Sequence, residues 1–452
     1  MTISEPFSPR RAPAVEWILA VAVVAALALV VWRFLQTGYL PQPFYYRVSE
    51  SLMDWFSTAY WANNGQAFST WHTLYPPLSF VFLKALTVKG CYVAGEVAGR
   101  QCDGLSRAVI LAIFLGNFAL VWATYRVNDA RTAIPRTIAM CLGLPMLYAL
   151  ERGNLLLPCF TCFALGYGDL IRARWARWLA LGLAMNFKPY LGLVSLPLLL
   201  RRKWSWVIGA AVFALAIYGV TLLLYGSGGP LEIIRNESQY AVAASKNAFA
   251  DIYYGTSYWP LIRLLRAPEP GLVLASPPVA AVWAAVLTAA LRAPQIMTLA
   301  LLTFALFRPG ATQVRRLGAL IACSAVTAYV TGSAGYAQIF MVFLVLFEPW
   351  RGVTRKIILT ATYLICIPAD LVLQPFIHAP GVDFLSGRTV MADFGVSLGH
   401  FVRPALLLVI QGGLLVLNIA DLRRPSGQDS RHDDGLTCAP TLGGLSADGA
   451  NA

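Results

Sequence analysis

Apolar residues along this chain gather into blocks of roughly 15–23, the length that carries a helix across a hydrocarbon core. Short segments rich in Arg, Lys, Gly and Pro separate them. The first block runs from Trp17 to Leu35. A long aromatic and polar segment follows, about Thr37 to Ser106, whose short apolar stretch Leu78 to Val88 begins behind Tyr75-Pro76-Pro77. Proline suits the first turn of a helix, so this stretch reads as a juxtamembrane helix lying on the surface. Spans are expected near Ala108–Tyr125 and Thr137–Leu150, then a tight turn at Glu151-Arg152-Gly153-Asn154, then a span returning at Arg172. Trp178 to Leu200 is one span long yet has basic residues on both sides, so it must cross twice or not at all. A hairpin of two short helices meeting at Lys188-Pro189 fits it best, because proline disfavours α geometry in the residue before it.

Further spans are expected at Trp204–Tyr225, Leu317–Thr331, Tyr336–Trp350, Ile357–Gln374 and Phe401–Ala420, with one or three crossings between Tyr258 and Phe307. The fold class is therefore all-α: a polytopic transmembrane helical bundle of about 10–14 spans over residues 1–424, with external juxtamembrane helices in its first loop. Residues 425–452, rich in Gly, Ser and Asp, read as a disordered cytoplasmic tail. No internal repeat is visible.

Composition supports the pattern. Apolar residues make up 58% of the chain and charged residues 13%, and mean hydropathy is +0.62. A soluble domain is nearer half apolar and a quarter charged, so the soluble-enzyme class is excluded. The net charge of +13 would suggest nucleic acid in a soluble protein. Here more than half of the 35 Lys and Arg sit in short clusters between spans: Arg10/Arg11, Arg126/Arg131/Arg136, Arg172/Arg174/Arg177, Arg201/Arg202/Lys203, Arg308/Arg315/Arg316, Arg351/Arg355/Lys356 and Arg423/Arg424. Such clusters mark cytoplasmic loops. They place both termini inside and Thr37–Ser106, Gly226–Ser257 and Pro375–His400 outside, and they leave no call for a nucleic-acid partner. The first block lacks a small-residue cleavage site after it and reads as a retained helix, not a secretion signal.

Three places carry candidate chemistry. Asp54 lies in the first external loop among Phe44, Tyr45, Tyr46, Trp55, Phe56, Tyr60 and Trp61, with Glu50 one helical turn earlier. Aromatic-rich segments lie in the membrane interface, where an acid meets a lipid headgroup; an ordinary loop acid would simply be solvated. Lys188 sits inside an apolar stretch, where a charge is functional unless it snorkels to the surface. Arg152 and Asn154, beside Glu151, cap an apolar hairpin, and an Arg fork suits phosphate or sugar oxygens. The external loops also hold Glu232, Glu237, Lys246, Asp251, His378, Asp383 and Asp393. Of eight cysteines, Cys91 and Cys102 are the pair placed outside, where a disulfide is permitted. Cys159 and Cys162 form a CxxC inside a span with no companion ligands, and the four histidines show no metal spacing. Neither a metal nor a cofactor is expected. No Walker sequence, GxSxG or dinucleotide fingerprint is present.

Three segments together resemble the GT-C superfamily of membrane glycosyltransferases. Asp54-Trp55-Phe56-Ser57-Thr58-Ala59-Tyr60-Trp61, followed by Trp71-His72-Thr73-Leu74-Tyr75-Pro76-Pro77-Leu78, is similar to the family's first external loop, where an acid precedes a Tyr-Pro-Pro-Leu juxtamembrane helix. Glu151-Arg152-Gly153-Asn154-Leu155 is similar to a Gly-Gln-x-Asn turn, with Arg-Gly-Asn in its place. Met185-Asn186-Phe187-Lys188-Pro189-Tyr190, ending in Arg201-Arg202-Lys203-Trp204, resembles the hairpin and basic exit of glycosyltransferase family 87, the polyprenyl-phosphate-mannose-dependent mannosyltransferases. A later Ser-Pro-x-Ser-Trp-x-His region has its counterpart in Gly332 to Gln338, which carries no histidine.

The resemblance implies a multi-pass inner-membrane enzyme with its active site outside the cytoplasm. It would move a hexose or pentose from a polyprenyl-phosphate donor to a lipid or glycan acceptor, with inversion. It makes Asp54 the catalytic base and Lys188, Arg152, Asn154, Tyr75, His72, Glu50, Tyr190 and Gln338 the substrate-binding residues. Two other classes remain open. One is a lipid or polysaccharide transporter or flippase, which shares the broken helix at Lys188 but commonly shows internal repeats. The other is an O-antigen-type polymerase or ligase, whose large external loop is expected late in the chain.

Overall fold

The computed structural model describes residues 14–44, 48–244, 257–268, 274–308, 313–328 and 335–423. Lys246, Asp251, Gly332 to Ala334 and the tail 425–452 lie outside them. Among the described residues six helices are long and apolar enough to cross a membrane. They are α1 (Ala14–Thr37), α5 (Gly104–Asp129), the pair α6 (Ala133–Cys141) and α7 (Leu144–Arg152), α11 (Trp204–Tyr225), α14 (Pro277–Phe307) and α18 (Gly399–Arg423). Between them come α2 (Met53–Asn64), α3 (Pro77–Leu86), α4 (Glu96–Cys102), α8 (Leu156–Tyr167), α9 (Arg174–Phe187), α10 (Leu196–Leu200), α12 (Pro230–Ala244), α13 (Trp259–Arg266), α15 (Val314–Ala328), α16 (Ile339–Val345) and α17 (Val353–Ile365). This is a helical multi-pass membrane protein. Its count of long spans falls below the 10–14 expected, because several apolar blocks are split into pieces too short to cross alone.

Local chemistry explains the splits. In the span of α6 and α7 the chain breaks at Leu142-Gly143, and the Leu144 N–H donates to the Cys366 carbonyl at 2.8 Å. A Cβ on Gly143 would lie 2.1 Å from the Ala139 carbonyl oxygen, so only glycine fits. α9 ends at Phe187, and Lys188 before Pro189 is extended, at φ −140° and ψ 99°. A 3₁₀ turn, Pro189–Ser195, and α10 complete the two-part element expected there. α3 begins with Pro77 behind Pro76 at its N-cap, as the Tyr-Pro-Pro run predicts. Among the described residues between Tyr258 and Phe307 stand the short α13 and one long helix, α14.

Every residue of α16 is buried, and its Phe340 and Phe343 pack against Tyr125, Phe160 and Phe163 from α5 and α8. A helix apolar on all sides belongs in a core, and this one is the centre of the bundle. The outer helices have the opposite pattern. α11 exposes Leu215 and Leu223, and α14 exposes Ile296 and Phe307. Apolar residues left outward along a span face lipid, which has no competing polar groups.

The two ends of the bundle differ. At one end, Arg136 forks onto Glu16 at 2.9 and 3.0 Å and donates to the Leu346 carbonyl at 2.6 Å, and the Tyr363 hydroxyl joins Glu16 at 3.0 Å. Nearby, Arg316 forks onto Glu348 at 2.7 and 2.9 Å and also holds Asp421, while Arg355 reaches Glu348 at 2.9 Å. Arg315 pairs with Asp169 at 2.5 Å. All four arginines come from the basic clusters of the sequence, and these pairs bring the start of α1 and the end of α18 to the same end. The other end carries the first loop and a β-hairpin. Strands β1 (Val372–Val382) and β2 (Thr389–Ser397) pair antiparallel from Val372↔Ser397 to Val382↔Thr389, with irregularities around Gln374 to Ile377 beside Pro375. This hairpin stands where an external loop without strands was expected. Its signal is the alternation in Thr389 to Val396, with Val390, Ala392 and Phe394 buried in turn. The Ser386 hydroxyl donates to the Gly38 carbonyl at 2.5 Å, and the Gln42 amide exchanges two bonds with Gly395, tying the hairpin to the end of α1.

Arg316 is 2% exposed and satisfies two buried acids. Removing one partner of such a group strands the others, so Arg316→Ala is expected to lower stability by about 3–5 kcal/mol. Thermal unfolding in detergent checks this; a midpoint equal to that of the unaltered chain would refute it.

Candidate active site

The first loop builds its site from α2. Leu52 sits at the N-cap in the left-handed region, φ 65°, and its N–H donates to the Glu151 carbonyl at 2.6 Å. The turn after α7 meets it there. Gly153 is left-handed, φ 60°, and a Cβ on it would press the Leu52 carbonyl at 3.0 Å and Trp55 at 3.2 Å. Glycine is required at that position both for its φ and for the close approach.

α2 then offers a different face to each neighbour. Trp55 meets Phe82 of α3, Phe56 stacks on Tyr92 in the turn before α4, and Asp54, Ser57, Thr58 and Trp61 line a cavity of about 910 Å³. The spacing 54, 57, 58, 61 is one helix stripe. On one flank Tyr75 joins the wall, and the Lys188 amine lies 4.3 Å from the centre of the Tyr75 ring. On the other flank stand Glu96, Val97, Arg100 and Gln101 of α4 and the hairpin tip Val382, Asp383, Phe384 and Gly387.

Asp54 is held from two sides. Arg152 donates to Oδ1 at 2.6 Å and Asn154 to Oδ2 at 2.7 Å. The other arm of Arg152 donates to Glu50 at 2.9 Å. Asn154 is itself oriented, because its Oδ1 accepts the Leu156 N–H at 2.9 Å at the start of α8. Of the predicted residues, Asp54, Glu50, Arg152, Asn154, Tyr75 and Lys188 thus come together at or beside one cavity. Three do not. His72 is exposed in the loop before α3 and lines no wall. Tyr190 lies past the Lys188 break, with its ring 6.4 Å from Phe340. Gln338 is buried at the N-cap of α16, away from the lining residues.

The sequence reading missed Arg100. It is buried, donates to the Ser49 and Ser51 carbonyls at 2.7 Å each, and lies 4.2 Å over the Phe384 ring. Burial pulls its guanidinium below the ordinary value, and Asp383, Glu50 and Glu96 oppose that pull. The available signal was its place inside the bracket formed by Cys91 and Cys102, which are joined as a disulfide. Asp103 closes the same bracket. It accepts the Val88 N–H at 3.1 Å, the Tyr92 hydroxyl at 2.9 Å and both the N–H and hydroxyl of Ser106.

Among the described residues no group of three or more His, Cys, Asp or Glu side chains converges as a metal site. Comparison of the chain with protein-family models, curated proteins and solved structures found no match.

Burial alone would push the Asp103 carboxyl up, but the hydrogen bonds from Ser106, Tyr92 and Val88 outweigh it and hold it below its ordinary 3.8. A depressed acid contributes stability above that ordinary value and loses it as pH falls toward the folded-state value. The first loop is therefore expected to loosen below about pH 4, read as faster hydrogen exchange at the Val88 and Ser106 amides. Asp103→Ala should cost about 1–3 kcal/mol at neutral pH and abolish the acid dependence; exchange that keeps its acid dependence in the variant would refute the assignment.

Proposed function

We propose that this protein is a GT-C-type membrane glycosyltransferase that moves a sugar from a polyprenyl-phosphate donor to an acceptor hydroxyl outside the cytoplasm, with Asp54 as the base. One observation carries the reading: Asp54, singled out by its resemblance to the family's loop acid, lines a cavity and is held there by Arg152 and Asn154 from the end of a distant span. Two of the four lone-pair directions of its carboxylate take those donors, which leaves the others for a substrate hydroxyl.

In the reaction, Asp54 accepts the acceptor's proton as that oxygen attacks the anomeric carbon. The bond to the phosphate oxygen breaks on the opposite face, and the electron pair leaves with the phosphate. Positive charge must stand where the phosphate gathers negative charge. Lys188, at the helix break beside Tyr75, is the cation on that flank of the cavity. A single displacement inverts the anomeric carbon and needs no second, nucleophilic carboxylate. Glu50 shares Arg152 with Asp54 and is the competing base.

The location of the cavity favours this over a transporter. Its walls come from loop helices, a hairpin tip and the last residue of α7, whereas transporter sites lie near the bilayer midplane. The basic clusters gathered at the opposite end fit a cytoplasmic face there, which supports an outward-facing cavity.

Purified Asp54→Asn in lipid should lose about 10²–10⁴-fold in turnover with donor binding retained, because a general base contributes in that range. Glu50→Gln should lose less; the reverse order would move the base to Glu50, and normal transfer by both would sink the proposal. Lys188→Met should weaken donor binding by roughly tenfold or more, since a charge-assisted contact is worth about 1.5–3 kcal/mol. Unchanged donor affinity in a folded Lys188→Met would return Lys188 to a snorkelling role.

A further inference from the structure

The two flanks of the cavity differ in chemistry, and the difference bears on the acceptor. The inference rests on the transferase reading above. On the flank of Tyr75 stands the cation Lys188. Another part of the lining is one face of α4, with Glu96, Val97, Arg100 and Gln101 at helical spacing and Phe384 of the hairpin tip against Arg100. Of the charged residues lining the whole cavity, Glu50, Asp54, Glu96 and Asp383 are acids and Arg100 and Arg152 are bases. Both bases are committed to the protein: Arg152 to Glu50 and Asp54, and Arg100 to the Ser49 and Ser51 carbonyls.

We propose that the face of α4 and Phe384 form an acceptor subsite for an uncharged glycan, not for a phosphate-bearing lipid headgroup. An anionic headgroup brought beside Glu96 would meet like charge, and among the described lining residues on that side the basic group, Arg100, is already committed; like charges in a partly desolvated cavity repel strongly. A sugar ring has the complementary pattern. Its edge hydroxyls suit the planar carboxylate of Glu96 and the amide of Gln101, which accept and donate. Its C–H face suits the apolar Val97 and the Phe384 ring, whose π face carries negative charge. A pocket of mixed apolar walls with a few convergent polar groups is the usual form of a small-ligand site. Glu96 is half-buried, Gln101 is exposed, and Val97 is half exposed, so the face is open to a ligand.

The test uses the full-length protein in lipid with a polyprenyl-phosphate sugar donor and two acceptor sets: neutral methyl oligoglycosides, and phosphatidylinositol-linked glycosides of the same sugars. Gln101→Ala and Glu96→Gln should each raise KM for the neutral acceptors by roughly tenfold, the loss of one hydrogen bond to a charged or amide group. Donor KM should not move. Glu96→Arg should weaken neutral acceptors likewise. A Glu96→Arg protein that gains affinity for the phosphate-linked set, with the unaltered protein preferring that set, would overturn the proposal, as would variants that move donor KM alone. Saturation-transfer NMR with the neutral glycosides separates the two readings. Binding lost in Gln101→Ala, with no transfer from any donor, refutes the transferase but keeps the glycan site; transfer unaffected by all three variants refutes the subsite but keeps the transferase.

Discussion

One guanidinium organises the end of this molecule that carries the cavity. Arg152, the last residue of α7, places one arm on Glu50 and the other on Asp54. A buried arginine cannot shed its proton, so it must find anions, and its fork is matched to carboxylates. The first loop supplies two of them, one from a 3₁₀ turn and one from the first turn of α2. The loop is thereby registered against the bundle at a charged pair, which fixes direction as well as distance. The backbone repeats the link with the Leu52 N–H on the Glu151 carbonyl, and Gly153 permits the approach. The position of Asp54, and hence the use of the cavity, depends on the end of a helix roughly one hundred residues away in sequence.

The same principle closes the opposite end with different residues. There Arg136, Arg315, Arg316 and Arg355 turn inward onto Glu16, Asp169, Glu348 and Asp421. Basic residues that mark a loop's side of the membrane thus also stitch helix ends together. Around α16 the packing is aromatic. Polar connections there are short hydrogen bonds between neighbouring helices, such as Gln411 to Ser324 at 2.8 Å. The ion pairs named for the two ends join helix termini and loops, and dispersion dominates around α16.

How much of this was legible in the sequence follows from what each signal encodes. Length and apolarity gave α1, α5, α11 and α18 within a few residues, because a span is a local property. Pro76-Pro77 gave the start of α3 and Lys188-Pro189 the break after α9, because proline acts on its own neighbours. The membership of Asp54, Arg152 and Asn154 in one site was suggested only by resemblance, since nothing local in either segment says that they meet. Arg100 was missed for that reason: its partners are backbone carbonyls and a ring from a distant hairpin, and neither leaves a trace in composition. The hairpin was missed for another reason: Pro375 to His400 reads as an external loop between spans, and one short alternating run inside it is a weak signal. His72, Tyr190 and Gln338 were carried along by adjacent motif residues; proximity in sequence put them near the site but their backbones aim them elsewhere.

Under the proposed function, the acid belongs at a span's end and not within it. A carboxylate that must take a proton from a polar acceptor needs access to the aqueous side. One that must act beside a lipid-borne phosphate needs to lie near the interface. Buried deep in the bundle it would require full pairing, and every lone pair would be consumed. At the end of α7 it obtains a compromise: two donors fix its orientation, the cavity keeps the remaining directions open, and the Cys91–Cys102 bracket with the hairpin tip walls the space laterally. The rigid parts of that wall come from long-range ties, Asp103 on one side and the Gln42 and Ser386 contacts on the other. The loop helices are too short to hold their places by helix formation alone, so those ties, and above all Arg152, determine where Asp54 and its cavity stand.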